Sequence, residues 1–96
     1  VGTTPVQIID AGGKGGTRKV VIRNLHATQL LAYAFVENGG TAPIAANFTA
    51  TAAGAATDGV LIPAGQTGSF DIPDVFDVYI VGSGAATTYQ VAMVGA

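Results

Sequence analysis

The amino-acid sequence predicts an all-β protein, an antiparallel β-sandwich of about seven strands with a jelly-roll-like or immunoglobulin-like arrangement. The clearest signal is segment 58–84, where three short runs of β-branched and aromatic residues each end at a turn signal. Those turns are Pro63-Ala64-Gly65, Pro73-Asp74 and Gly82-Ser83-Gly84. Strands punctuated at such short intervals are typical of sandwiches and barrels. Length is the second observation, because 96 residues fit a single domain, residues 1–96, with a modest core.

Seven segments have the composition of strands. Three come early in the chain, at Pro5–Ile9, Thr17–Asn24 and Leu30–Glu37. Four come later, at Val60–Ile62, Thr67–Ile72, Phe76–Val81 and Thr87–Val94. Proline at the start of the first segment suits the beginning or the edge of a strand. Short length and the flanking Gly39-Gly40 favour a strand over a helix for the third segment.

Alternation of side chains along these strands predicts which residues face the core. In the second strand we expect Val20 and Ile22 inside, with Val21 on the opposite, charged face. Asp77 and Tyr79 are expected to face outward. In the last three strands the expected inward residues are Phe70, Ile72, Phe76, Val78, Ile80, Tyr89, Val91 and Met93.

The third strand is apolar on both faces, unlike its neighbours. Strands covered on both sides have this composition. A sandwich buries only one face of each sheet, so we expect a partner subunit or a loop to cover the other face.

The segment 38–57 is rich in Ala, Thr and Gly and has few large apolar residues. Structureless loops of this length are uncommon in compact domains and tend to be functional or disordered. The composition leaves two interpretations open: a mobile surface loop, or a segment that lies flat against a neighbouring surface. A short strand is predicted near residues 47–51.

Composition points to contact with other proteins. The hydrophobic fraction is 49%, whereas only 10% of residues are charged, compared with about 25% in a typical soluble domain. A small domain has little interior, so many apolar residues must face outward, and such surfaces mark protein–protein contacts. Four basic residues and a net charge of −2 are too little for a nucleic-acid partner. The longest apolar run, Leu30–Val36, is too short to span a membrane, so no membrane partner is expected either.

Sequence motifs for chemistry are weak throughout the chain. The segment Gly12–Thr17 lacks the Lys-Ser or Lys-Thr step and the following helix of a phosphate-binding loop. The carboxylates Asp71, Asp74 and Asp77 fit turn and strand positions better than a metal site. The single histidine, His26, has no serine at a spacing that suggests a catalytic pair. We therefore predict no enzyme activity, cofactor, metal or small-molecule substrate.

Taken in order, several motifs resemble those of a known group. They are Ile22-Arg23-Asn24, the apolar strand Leu30–Val36, the glycine-bounded Gly59–Gly65, Asp77–Tyr79 and the threonine-containing Thr87–Val94. This order is similar to that of small β-sandwich virion proteins of tailed bacteriophages, which serve as capsid decoration, head-fibre or related accessory subunits. The resemblance covers most of the chain.

The resemblance implies a non-enzymatic structural role in the virion, after synthesis in the host cytoplasm. We expect a capsid decoration or cement protein that forms a homo-oligomer, with a trimer favoured, and binds the major capsid protein or another virion protein. The residues expected at subunit or capsid contacts are Val21, Leu31, Tyr33, Phe35, Phe48 and Tyr79.

Two alternatives remain open from the sequence. The chain could be a tail, neck or vertex adaptor or a head-fibre subunit of the same particle, because these roles need only an apolar contact surface. It could also be a carbohydrate-binding module, in which Tyr33, Tyr79 and Tyr89 form a platform for sugar stacking.

Overall fold

The computed structural model describes residues 1–10, 16–44, 60–73 and 75–95. Its strands are β1 (Val6–Ile9), β2 (Thr17–Asn24), β3 (Leu31–Glu37), β4 (Val60–Ile62), β5 (Thr67–Pro73), β6 (Phe76–Gly82) and β7 (Tyr89–Gly95). The described residues contain no helix. The predicted all-β class is confirmed, and the largest boundary difference is the start of β7, at Tyr89 rather than Thr87.

Two antiparallel sheets form the sandwich. One has four strands in the order β1-β6-β3-β4, and the other has three in the order β5-β2-β7. An immunoglobulin domain also pairs its second strand with its fifth, and its third with its sixth, but keeps its first strand beside the second. Here β1 lies beside β6 and β7 lies beside β2. The central pairings are thus immunoglobulin-like, whereas the first and last strands are exchanged between the sheets.

The core lies between the two sheets and follows the predicted alternation. Its buried members are Ile9, Val20, Ile22, Leu31, Tyr33, Ile62, Ile72, Val78 and Ile80, and Phe70, Phe76, Tyr89 and Val91 pack around them. Full burial of each such aliphatic side chain contributes about 1.5–3 kcal/mol. Met93 also lies on the inner face, opposite Val20, but it is 47% exposed because β7 is an edge strand.

The outer face of the four-stranded sheet holds a second buried cluster. Ala32, Ala34 and Val81 form it, and Leu30 and Tyr79 pack against them. Ala32 and Ala34, on the outer face of β3, are therefore buried. That a partner subunit or a loop covers this face stays a prediction. The predicted strand at residues 47–51 and both interpretations of the long segment concern residues that lie largely outside the described part.

Asp77 corrects one expectation about this outer face. Alternation places it outside, as predicted, but the residue is only 7% exposed. It lies on β6, an inner strand with β1 on one side and β3 on the other, and on the same face as the buried Val81. The Asp77 side chain therefore points away from the core and is still shielded from solvent, because its strand has a neighbour on each side.

Candidate interaction surfaces

Apolar side chains that reach solvent are the most informative feature of this surface. The exposed large apolar residues are Val6, Leu25, Phe35, Ile44, Val60, Leu61, Val75, Met93 and Val94. Singly scattered apolar residues are normal on a protein surface, whereas contiguous ones mark contacts. Val60 and Leu61 on β4, and Met93 and Val94 on β7, are neighbours in sequence that point to opposite faces of their strands. Each of these two edge strands therefore exposes apolar residues on both of its faces.

An aromatic cluster joins the two sheets on the β4–β5 side. The ring of Tyr33 stacks on that of Phe70, with centroids 4.6 Å apart and 18° between the planes. Phe35 tilts against both rings, at 5.7 Å from Tyr33 and 4.8 Å from Phe70. Burial raises the pKa of the Tyr33 hydroxyl above its ordinary value of 10.0. Phe35 is 39% exposed, so the cluster runs from the core to an accessible phenyl ring.

A groove of about 370 Å³ lies beside this cluster, between the edges formed by β4 and β5. Its lining residues include Tyr33, Leu61, Gln66 and Gly68. A Cβ added at Gly68 would lie 3.0 Å from the Cδ1 atom of Ile62. Glycine at this position therefore allows the two edges to approach each other closely, which sets the width of the groove.

Two of the predicted contact residues belong to the core. Leu31 is fully buried and Tyr33 is nearly so, both in the cluster between the sheets. Side chains buried between the sheets of one chain cannot form the subunit or capsid contacts that were expected of them. The sequence showed an apolar strand on both faces, but it did not show which face meets the opposite sheet.

The other predicted contact residues lie on three different surfaces. Phe35 is at the rim of the aromatic cluster, and Tyr79 is half-buried on the outer face of the four-stranded sheet. Val21 is half-buried on the outer face of the three-stranded sheet, in a depression of about 300 Å³ that Arg23 also lines. Phe48 lies outside the described residues. A contact role for the accessible residues remains a prediction.

The three tyrosines do not form a common platform. Tyr33 lies between the sheets, whereas Tyr79 lies opposite Ala34 and therefore on the outer face of the same sheet. Tyr89 lies opposite Asn24 in the other sheet. A sugar ring could not stack on all three at once.

Asn24 organises the end of the sandwich where β2 leaves the core. Its side chain is completely buried. The Nδ2 group donates to the carbonyl oxygens of Gln29 at 2.8 Å and Ile62 at 3.0 Å, and Oδ1 accepts from the backbone N–H of His26 at 3.0 Å. One amide thus joins the β2–β3 connection to β4 in the other sheet.

His26 shapes the same connection through its ring. Nδ1 accepts hydrogen bonds from the backbone N–H groups of Thr28 at 3.1 Å and Gln29 at 3.0 Å. Asx residues hold turns through the same pattern of local bonds. The ring nitrogen is therefore engaged with backbone, and Ser83, one of the two serines, accepts instead from the N–H of Leu30 at 2.8 Å.

Thr87 closes this end from the opposite side. Its buried hydroxyl donates to Oε1 of Gln29, and a second contact joins the hydroxyl to the carbonyl of Gly84 at 3.1 Å. The preceding residue, Ala86, has a φ of 56°, a left-handed conformation that is unusual for a residue other than glycine. We call Asn24, His26, Gln29 and Thr87 the end cluster.

The alternation of β2 contains a signal for the buried polar residues. Arg18 and Asn24 occupy the same alternating positions of β2 as the core residues Val20 and Ile22. Arg18 donates to the carbonyls of Asp10 at 3.1 Å and Phe76 at 3.4 Å, at the end opposite Asn24. A polar residue that occupies an inward position at the end of a strand can thus hydrogen-bond to the backbone of neighbouring strand ends.

No group of three or more metal-ligating side chains occurs in the ranges that the structure describes. Asp71 lies on β5 and Asp77 on β6, in different sheets, and Asp74 lies outside those ranges. Most of the glycine-rich segment at 12–17 also lies outside them, and a strand, β2, follows it as predicted.

No helix among the described residues has the length and hydropathy that crossing a membrane requires. No protein-family model, curated protein or solved structure matches this chain. The surfaces described above are therefore the basis for a functional proposal, together with the sequence resemblance.

Proposed function

We propose that this chain is a non-enzymatic structural protein of a tailed-phage particle, a decoration or cement protein that self-associates and binds the assembled shell. The observation that carries the proposal is a low-charge surface with exposed apolar residues on two edge strands, β4 and β7. Such surfaces fit association with protein. The sequence resemblance to small virion proteins is the reason for proposing a phage shell as the assembly that the protein binds.

The β4 and β7 edges provide separate surfaces for shell binding and for self-association. The β4 side presents Val60, Leu61 and the rim residue Phe35, next to the groove between β4 and β5. We assign the shell contact to this side, because an accessible aromatic ring beside a concave surface is typical of binding hot spots. The β7 edge on the other side remains available to a second copy.

The mechanism is stabilisation by binding. A protein that binds the assembled shell, and not the separated shell subunits, shifts the equilibrium toward the assembled state. The required features are a rigid domain and an accessible contact surface. The end cluster and the aromatic cluster fix the strand ends and the two sheets, so the β4 side keeps its shape.

Add-back to deficient particles tests this proposal. Particles made from the encoding genome with this gene removed would be mixed with purified protein, sedimented and heated to measure shell opening. We expect the protein to co-sediment and to raise the temperature of opening. The variant Phe35→Glu should lose binding, whereas the exposed control Thr28→Glu should bind normally. Failure of the unmodified protein to bind such particles would contradict the decoration role.

A tail, neck or vertex position remains the alternative within the same particle, and binding restricted to one vertex would favour it. The carbohydrate-binding alternative receives no support from the tyrosines, because Tyr33 is nearly buried between the sheets and Tyr79 lies on the outer face. Reproducible binding to one glycan class on an array would restore it.

A further inference from the structure

Strand β7 lies at the edge of the three-stranded sheet, with β2 as its only neighbour among the described residues. The backbone of Asn24 shows which way the groups of β2 point. Its N–H donates to the carbonyl of Gln66 at 2.9 Å, and its carbonyl accepts from the N–H of Gly65 at 3.1 Å, both away from β7. The N–H of Leu25 points the other way and donates to the carbonyl of Thr88 at 3.0 Å.

The same alternation identifies the outward groups of β7. In an antiparallel ladder, successive residues direct their backbone groups to opposite sides. Val21 is in phase with Leu25, so Ala92, which lies opposite Val21, exchanges its hydrogen bonds with β2. Consequently the N–H and C=O groups of Tyr89, Val91 and Met93 point toward the open edge.

This edge already forms one β-type contact just before β7 begins. The N–H of Thr87 donates to the carbonyl of Val1 at 2.8 Å, and the nitrogen of Val1 donates to the carbonyl of Thr87 at 2.9 Å. Thr87 has the same phase as Tyr89, two residues later. The backbone of this edge is therefore oriented to accept an antiparallel partner.

β7 lacks the features that protect sheet edges from pairing. Edge strands are normally short, charged, interrupted by proline or distorted by a bulge. β1 has a register shift between Gln7 and Ile9, β4 has three residues, and β5 contains Asp71 and Pro73. β7 is seven residues long and pairs with β2 in an unbroken register. It contains no charged residue and no proline.

We propose that β7 pairs with β7 of a second copy of this chain, antiparallel and about a twofold axis, so that two three-stranded sheets become one continuous sheet. An antiparallel pair of identical strands is self-complementary under twofold symmetry. Like charges directly opposite each other destabilise a cross-strand pair, and an uncharged strand paired with its own copy has none. Val94 is 71% exposed, and a partner strand at this edge would shield one side of it. The pairing does not depend on the virion role, and it yields a dimer rather than the trimer favoured from the resemblance.

Analytical ultracentrifugation of the full chain over a wide concentration range tests the pairing. Met93→Pro removes an outward N–H without removing a bond to β2. Ser69→Pro is the matched control, because Ser69 lies opposite Val21 on β5 and directs its N–H away from β2, to the edge of the same sheet where no described strand pairs. We expect the original chain and Ser69→Pro to form dimers, and Met93→Pro to weaken the dimer by about tenfold or more.

A second variant keeps the backbone unchanged in case proline disturbs folding. Val94→Glu places a carboxylate opposite Lys19 of the same chain, which favours the folded monomer, yet it adds charge to the pairing edge. We expect a folded monomer with an unchanged circular dichroism spectrum. A chain that stays monomeric at all concentrations, or an oligomer that survives both Met93→Pro and Val94→Glu, would overturn the pairing. Neither result bears on shell binding, which add-back measures separately.

Discussion

Replacement of Asn24 by alanine should remove a large part of the stability of this domain. The substitution deletes three hydrogen bonds of a fully buried side chain. It leaves the carbonyls of Gln29 and Ile62 and the N–H of His26 without these partners. Each buried polar group left without a partner costs about 1–3 kcal/mol. Because water can enter a truncated site at the sandwich end, we expect a loss of about 3–5 kcal/mol rather than the full sum.

This loss is large compared with the total. Domains of this size unfold with about 5–15 kcal/mol, so Asn24→Ala would remove at least about a fifth of that free energy. Urea denaturation followed by circular dichroism measures the change in the free energy of unfolding. Arg23→Ala, the neighbouring exposed residue, is the control and should change stability by no more than about 0.5 kcal/mol.

The isosteric variant Asn24→Asp separates hydrogen bonding from packing. It keeps the size of the side chain and the acceptor for His26, but it places a carboxylate oxygen against the carbonyls of Gln29 and Ile62. Near neutral pH this variant should be at least as destabilised as Asn24→Ala, because the carboxylate can donate to neither carbonyl and its buried charge lies against their oxygens. A loss below about 1 kcal/mol for either variant would refute the reasoning that this amide holds the end of the sandwich together.

Three further predictions concern single residues. His26→Ala should lower the free energy of unfolding by about 1–2 kcal/mol, whereas His26→Asn should retain most of it because Oδ1 can replace Nδ1 as acceptor. Ala86→Gly should raise stability by up to about 1 kcal/mol by relieving the positive φ, whereas Ala85→Gly should lower it. Burial raises the pKa of Tyr33, so stability that is complete below pH 10.0 should fall as the pH rises above that value, and Tyr33→Phe should reduce this alkaline loss.

Each of these predictions has a clear contradicting result. Equal stability of His26→Ala and the original chain would show that the ring nitrogen contributes little to the turn, and equal losses in His26→Ala and His26→Asn would show that the amide oxygen does not replace it. Destabilisation by Ala86→Gly would mean that the methyl group matters more than the backbone strain. An alkaline transition that is unchanged in Tyr33→Phe would assign that transition to other groups. Thermal melting at several pH values, monitored by circular dichroism, measures all three.

The strands could be predicted from sequence because their ends carry turn residues and their faces alternate. β2 has the predicted bounds, and its alternation placed Val20 and Ile22 correctly in the core. The pairing of strands could not be predicted, because Pro and Gly mark where a strand ends and not which strand it joins. The exchange of β1 and β7 between the sheets consequently had no signal in the sequence.

Exposure of the candidate contact residues was harder to predict than strand position. Leu31 and Phe35 share a face of β3 by alternation, yet Leu31 is fully buried and Phe35 reaches solvent. The difference in exposure arises from the opposite sheet. There Phe70 stacks on Tyr33, the residue between the two, and Phe35 lies beyond it at the edge of the aromatic cluster. Burial along a single strand depends on where the facing sheet ends, which no local pattern encodes.

Quantitative mass spectrometry of purified particles tests the central claim most directly. The particles would come from the genome that encodes this chain, and the copy number would be compared with that of the shell subunit. The decoration role predicts a copy number of the same order as the shell subunit. A few copies per particle would place the chain at a tail, neck or vertex. Absence from purified particles would contradict a structural role in the virion.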